Sequence, residues 1–359
     1  MNKKLRVGIL GATGFVGQRL VTLLTDHPYF DVTVVAASSR SAGKSYEEVV
    51  GSKWKLDIPM PEWVKPMVIR NLNNIEEVKD DVDFVFCAVN MDKNTIKQLE
   101  EAYAKAEIPV VSNNSAHRMT KDVPVIVPEI NASHLAIIDA QRKRLGTKKG
   151  FIATKPNCSI QSYVPPLTAL LEFEPTKVVV STYQAVSGSG KTLKEWPEME
   201  DNIIPFISGE EEKSEQEPLK VWGHIENDEI KFVEGITISA QCIRVPVLDG
   251  HLATVSVSFK KKPTKEQILA KWAEYSGRPQ ELGLPLAPKQ FITYFEEDNR
   301  PQTHLDRNIE KGMGITVGRL REDNIFDYKF VGLSHNTLRG AAGGAVLMAE
   351  LLYKEGYLE

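Results

Sequence analysis

The chain opens with a short apolar run, Leu5–Leu10, and passes into a segment of helical periodicity over Gly14–Thr25. A second apolar run covers Val32–Ala36 and a third covers Asp83–Val89. A helical pattern over Lys93–Ala106 and a short strand pattern over Pro109–Ser112 follow. Strands covered by helices on both faces carry no polar face, so short apolar runs alternating with helix-period segments predict βαβ units and a parallel sheet. The stretch Val49–Val68 holds Trp54, Trp63 and three prolines and predicts irregular chain.

The second half has another pattern. Lys177–Gln184, Glu234–Val245 and Leu252–Phe259 are strand-rich, and the last alternates with period two. That predicts a largely antiparallel sheet with one face on a core. Between them, Gly209–Val221 is acidic and polar and reads by itself as a solvated helix face. Near the end, Ala341–Tyr353 predicts an apolar helix. The expected fold class is α/β: an N-terminal Rossmann-type parallel-sheet domain over residues 1–155, followed by an α+β domain over residues 156–335.

A length of 359 residues suits two such domains. The net charge of -4 gives no reason to expect a nucleic-acid or membrane-surface partner. No apolar run approaches the length of a membrane span, and the opening residues run straight into a strand with no export-signal pattern. Three cysteines, Cys87, Cys158 and Cys242, form no Cys-x-x-Cys pair and no metal-ligand spacing. A cytoplasmic, metal-free protein is expected. Cys87 lies in an apolar run and Cys242 in a strand pattern, where packing is the simplest role.

Gly11, Gly14 and Gly17 form a G-x-x-G-x-x-G turn between the first strand and the first helix. Glycine lets backbone N–H groups approach a pyrophosphate, and the helix N-terminus favours its charge. A ligand-free tight turn is the plain alternative; the strand–turn–helix position favours a dinucleotide held around Gly11, Thr13, Gly14, Phe15 and Val16, with Ala88 at the end of the third run. After the second strand, where an NAD site usually places an acid, stand Ser38, Ser39, Arg40 and Ser41, with Lys44 close behind. Hydroxyls and cations suit a 2′-phosphate, so NADP is the expected cofactor; an ordinary basic loop is the alternative.

Cys158 lies in Lys155-Pro156-Asn157-Cys158-Ser159, ahead of the apolar segment Ile160–Leu171. A thiol at a helix N-terminus is expected to have a lowered pKa. Pro165 and Pro166 predict a short or kinked first helical piece. A thiolate nucleophile usually has a base nearby, and His251, in Arg244-Val-Pro-Val-Leu-Asp-Gly250-His251, is the best placed of seven histidines. Taken alone, that stretch reads more readily as a surface loop.

Four ordered motifs now stand along the chain: Gly11–Gly17, Pro156–Ser159, Gln184-Ala-Val-Ser187-Gly188 and Arg244–His251. Together they resemble the aspartate-semialdehyde dehydrogenase family, most closely its archaeal and fungal branch. Asn336-Thr-Leu-Arg339-Gly-Ala-Ala-Gly343 resembles the segment by which that family's chain returns to the cofactor domain. The resemblance implies NADPH-dependent reduction of L-aspartyl 4-phosphate through a thioester on Cys158. It implies proton handling by His251 and orientation of the acyl group by Gln184. Arg244 would hold the α-carboxylate, Glu217 the amino group, and Lys220 and Arg118 the phosphate, with Asn157 in the substrate site. Ser187, Gly188 and Asn336 would join the cofactor set. The second domain would be catalytic and dimerising, in a homodimer or homotetramer, with residues 336–359 packed back on the first.

Three other readings compete. Ala185-Val-Ser-Gly-Ser-Gly190-Lys191-Thr192 is nearly a P-loop, but its first position is Ala and Pro197 interrupts the helix that should follow. A non-catalytic NADP sensor leaves Cys158 and His251 without a role. Acyl-CoA reductases of the malonyl-CoA reductase type share the thioester chemistry, with N-acetyl-glutamyl-phosphate reductase a more distant relative.

Overall fold

The apolar runs of the first half become buried parallel strands. The computed structural model describes residues 3–358; Met1, Asn2 and Glu359, at the ends of the expected domains, lie outside the described residues. Strands β1 (Leu5–Leu10), β2 (Phe30–Ala37), β3 (Arg70–Asn71), β4 (Phe84–Cys87), β5 (Val110–Ser112) and β6 (Ile152–Thr154) form one sheet in the order β3-β2-β1-β4-β5-β6. Every pairing in it is parallel. Each residue of β4, β5 and β6 is buried, as sheets covered on both faces require.

The helix Phe15–Leu23 covers one face together with Gly343–Lys354, whose residues Gly343 to Leu352 are all buried. A helix apolar on all sides belongs inside a core, and this one joins Val7, Ile9, Phe84 and Phe86. The helix Lys93–Lys105, capped by the Asp92 carboxylate on the N–H groups of Asn94 and Thr95, covers the other face through Ile96, Leu99 and Tyr103. The strand order reverses between β1 and β4, which opens a crevice at their C-terminal ends.

The second sheet is built from β7 (Pro175–Gln184), β10 (Thr237–Arg244), β11 (His251–Phe259), β12 (Ile292–Phe295), β13 (Ile315–Glu322) and β14 (Tyr328–Ser334), with a separate hairpin of β8 (His224–Glu226) and β9 (Glu229–Lys231). Its order is β10-β7-β11-β14-β13-β12. The three inner pairings are antiparallel, whereas β10 on β7 and β12 on β13 are parallel. The sheet is therefore mixed. A long crossover containing the helix Glu210–Val221 separates β7 from β10 and lets them run the same way.

That helix is the acidic stretch expected to be a solvated face, and the expectation fails. Glu210, Ser214, Glu217, Pro218, Lys220 and Val221 are buried in it. Its three buried charges, Glu210, Glu217 and Lys220, each find partners inside the protein.

Candidate active site

Both sheets end at one cavity of about 410 Å³. Phe15, Val16, Val89 and Asn90 line it from the parallel-sheet side, with Asn113 to Ser115, Arg118 and Asn157–Cys158 deeper in. Ser187, Gly188, Glu210, Lys213 and Asn336 close it from the other side.

The turn after β1 has the shape a pyrophosphate needs. Gly11 has φ +85, and a Cβ there would stand 2.4 Å from the carbonyl oxygen of Ala88. A Cβ on Gly17 would stand 2.3 Å from the Gly11 carbonyl oxygen, so the third glycine lets the helix pack on the turn. Gly14 begins the helix with no side-chain cap, leaving the first-turn N–H groups for a ligand. At the end of β2, Ser39, Arg40 and Lys44 are exposed. Among the described residues the side chains of Ser38, Ser39, Arg40, Ser41 and Lys44 make no hydrogen bond or ion pair, and Lys44 only lies near enough to Glu48 to favour its charge. A hydroxyl-and-cation cluster without internal partners, beside a bare helix N-terminus, fits NADP.

The thiol and the imidazole meet. Cys158 precedes a four-residue 3-10 turn, Ser159–Ser162, and its Sγ lies 3.4 Å from Nε2 of His251. His251 is the first residue of β11 and is wholly buried, so the surface-loop alternative is excluded. Its Nδ1 accepts the backbone N–H of Ala185 at 3.0 Å. The expected lowering of the Cys158 pKa is not found. Burial, and then the Glu210 carboxylate, push the thiol up, and a single 3-10 turn offers little dipole against them. The helical piece is short as Pro165 and Pro166 suggested: a helix follows only over Val164–Thr168.

The remaining side chains divide into those that face the cavity and those that hold them. Arg118 faces it; its guanidinium donates to Glu217 at 2.9 Å and to the Asn113 carbonyl at 3.1 Å, and its Nε is buried without a partner. Asn157 donates to both oxygens of Glu210, at 2.9 and 3.0 Å. Glu217 does not line the cavity, because its two oxygens take Arg118 and the backbone N–H of Asn157. Lys220 does not line it either. Its ammonium donates to the carbonyls of Arg118, Thr120 and Val123 at 2.7, 2.7 and 2.9 Å, which uses all three donors. Gln184 ends β7 and donates to Glu210 at 3.1 Å. Arg244 ends β10 and donates to the Ala185 carbonyl at 2.6 Å. A Cβ on Gly188 would come within 3.0 Å of Arg244 and 3.1 Å of the His251 ring, so the glycine is the space above both. Ser187 donates to Asp249 at 2.7 Å and accepts from Asn336 at 2.8 Å, tying the returning chain to the site.

Comparison with known proteins finds matches along nearly the whole chain. The family description "Semialdehyde dehydrogenase, NAD binding domain" matches residues 6–138, and "Semialdehyde dehydrogenase, dimerisation domain" matches residues 165–339. An aspartate-semialdehyde dehydrogenase of Schizosaccharomyces pombe is 44% identical, with 98% of this chain and 99% of that protein aligned. One from Aspergillus fumigatus is 43% identical over 99% of each chain. The chain belongs to the aspartate-semialdehyde dehydrogenase family. Among solved structures, the Candida albicans aspartate-semialdehyde dehydrogenase with NADP superposes with a TM-score of 0.87 at 37% identity, covering 99% of this chain and 100% of that one.

Within this family frame, two residues that the sequence reading passed over stand at the cavity. Glu210 gathers Asn157, Gln184 and Lys213, the last at 2.7 Å. Lys213 retains two unbonded N–H groups at the cavity wall. The acidic run Glu210–Glu212 hid them, since nothing in it distinguishes a buried acid from a solvated one. Helical spacing was the available signal: Glu210, Ser214 and Glu217 share one face.

Proposed function

We propose that this chain reduces L-aspartyl 4-phosphate to L-aspartate 4-semialdehyde and phosphate with NADPH, in aspartate-family amino-acid biosynthesis. The observation that carries the reading is Cys158 Sγ at 3.4 Å from His251 Nε2, in a cavity shared with Arg118, Lys213 and Glu210. Cys158 attacks the acyl carbon, the C–O bond to phosphate breaks, and a thioester remains. When bound, the cofactor supplies the hydride that reduces it. The Cys158 sulfur then leaves as thiolate, and the Nε2–H of His251 donates to it. Arg244 holds the α-carboxylate, a bidentate task suited to guanidinium. Gln184 acts on the acyl group from the Glu210 network. Glu210, which lines the cavity, takes the substrate ammonium, and Lys213 with Arg118 takes the phosphate; Glu217 and Lys220 stand behind them as supports. The cofactor contacts are Gly11, Thr13, Gly14, Phe15, Val16, Ala88, Ser187, Gly188 and Asn336, with Ser38 to Ser41 and Lys44 at the 2′-phosphate.

The chain divides near residue 155, with residues 336–358 packed on the cofactor domain. The dimerisation description over residues 165–339 supports an oligomer, read here as a homodimer or homotetramer. No helix among the described residues is long and apolar enough to cross a membrane, and three free cysteines suit the cytoplasm.

The test is the reverse reaction with aspartate semialdehyde, NADP and either phosphate or CoA. NADPH formation should require phosphate or its mimic arsenate. NADPH formation that requires CoA and ignores phosphate moves the chain to the acyl-CoA reductase type.

A further inference from the structure

Cys158 opens the short turn Ser159–Ser162, and that turn is held at its start, its end and its middle. At the start, the side-chain oxygen of Asn157 accepts the N–H and the hydroxyl of Ser159, at 2.7 and 2.8 Å. At the end, the Ser162 carbonyl lies against β14, where a Cβ on Gly332 would stand 2.0 Å from its oxygen. In the middle, Gln161 is buried, and its side-chain oxygen accepts the Nε–H of Arg339 at 3.1 Å.

Arg339 is 1% exposed and does not line the cavity. Its two terminal nitrogens donate to the two oxygens of Glu129, the Nη1 bond at 2.7 Å, and its Cζ lies 4.7 Å from the centre of the Phe291 ring. Glu129 sits in the short helix Pro128–Asn131, packed so tightly on Gly277 that a Cβ there would stand 2.5 Å from the Glu129 carbonyl oxygen. A buried ion pair adds little net stability, so what it holds in place matters more. A guanidinium can clamp a carboxylate with two nitrogens and still point Nε–H at a third acceptor; an ammonium cannot cover both sites in that geometry.

The backbone of Arg339 reaches the nucleophile as well. Leu338–Ala342 form a π-helical turn, in which the N–H groups of Gly340 and Ala342 donate to the carbonyls of His335 and Thr337, five residues back, at 2.9 and 3.0 Å. Such turns are rare and gather at functional sites. Thr337, Gly340 and Ala341 line the cavity, and a Cβ on Gly340 would stand 2.7 Å from Cys158 Cβ and 3.1 Å from its Cα. Arg339 therefore joins the cavity wall to the turn that aims the thiol, by its backbone at Gly340 and by its side chain at Gln161.

We propose that Arg339 is a positioning residue for the thioester step: anchored on Glu129, it holds Gln161 and so sets where Cys158 Sγ meets the acyl carbon, without touching substrate or cofactor. This rests on Cys158 being the nucleophile.

The experiment is steady-state kinetics of the full chain in the reverse direction for Gln161→Met, Arg339→Lys and the double variant, with Tm measured on each. Gln161→Met removes the acceptor at similar volume and leaves the pair with Glu129 intact. It should lower kcat about tenfold, within what a misplaced reacting group costs, and leave KM for NADP and for phosphate within about twofold. Arg339→Lys keeps a charge beside Glu129 but gives up the bond to Gln161, and kcat should fall by a similar factor. Both act on one contact, so the double variant should be no slower than the slower single variant. Gln161→Met that folds and turns over like the wild type overturns the proposal, and so does a double variant whose loss is the product of the two single losses. If Arg339→Lys does not fold, kcat of Gln161→Met decides alone. A reaction driven by CoA instead of phosphate would change the proposed function, and the same comparison would then be read with CoA. Activity surviving in Cys158→Ser would instead remove the nucleophile reading itself.

Discussion

Nδ1 of His251 accepts the backbone N–H of Ala185 at 3.0 Å, and this fixes what the ring can do. The neutral ring must carry its proton on Nε2, pointing at Cys158. A second proton would displace the Ala185 bond, and burial together with the nearby Arg244 holds the His251 pKa down to about 3. The ring therefore donates a hydrogen bond to sulfur and is not a base waiting for the thiol proton. His251→Ala should lower kcat by about a hundredfold, while His251→Gln, which keeps an amide donor, should lose less. The profile of kcat against pH should show no step at the ordinary imidazole value. A step there that vanishes in His251→Gln would sink the assignment.

The same burial gives stability a direction with pH. His251 is held down to about 3 and His335, next to Asp249 and Arg307, to about 4, both from an ordinary 6.5. Above 6.5 both states of the chain keep these rings neutral. As pH falls from 6.5 toward 4, the unfolded chain binds protons that the folded chain refuses, so folding stability falls. Tm should drop through that window, and His335→Gln should reduce the drop. A Tm that rises on acidification contradicts the burial of neutral rings.

Cofactor choice and cofactor binding should separate by position. Arg40 is exposed at the end of β2, so Arg40→Ala should weaken NADPH by about tenfold, leave NADH nearly unchanged and keep Tm. Gly17→Ala should weaken both, because its Cβ would stand 2.3 Å from the Gly11 backbone oxygen and force the turn apart. The expected loss of stability is about 1–3 kcal/mol. Fluorescence titration of both dinucleotides on the two variants decides it.

The parallel half of the fold was legible because its strands are buried on both faces and read as plain apolar runs: Leu5–Leu10 is a strand over those same residues. The glycine turn, Cys158 and His251 carry local signatures, and the structure brings the last two into contact. What the sequence hides is which polar groups point inward. The run from Glu210 to Lys220 contains five Glu or Lys besides those two ends, and only the three-dimensional partners separate Glu210 from Glu212, or Lys213 from Lys220. Parallel pairing of β7 with β10 was hidden for a related reason, since it depends on a crossover rather than on either strand.

Lys213 and Lys220 differ in what their ammonium groups touch, and that difference can be measured. Lys213 is a quarter exposed at the cavity and spends one donor on Glu210. Lys213→Ala should cost about 1–3 kcal/mol, because it removes the cation bonded to the buried Glu210 carboxylate. It should raise the apparent KM for phosphate in the reverse reaction and leave the KM for NADP unchanged. Lys220 is 1% exposed and ties together the carbonyls of Arg118, Thr120 and Val123. Lys220→Met fills the same space but leaves those acceptors without their donor, at about 1–3 kcal/mol for each one that stays buried and unbonded. It should therefore lower Tm strongly, and any effect on phosphate should come through the displaced Arg118 backbone. If Lys220→Met keeps its Tm and loses phosphate, while Lys213→Ala is silent in both assays, the two lysines have been assigned the wrong way round.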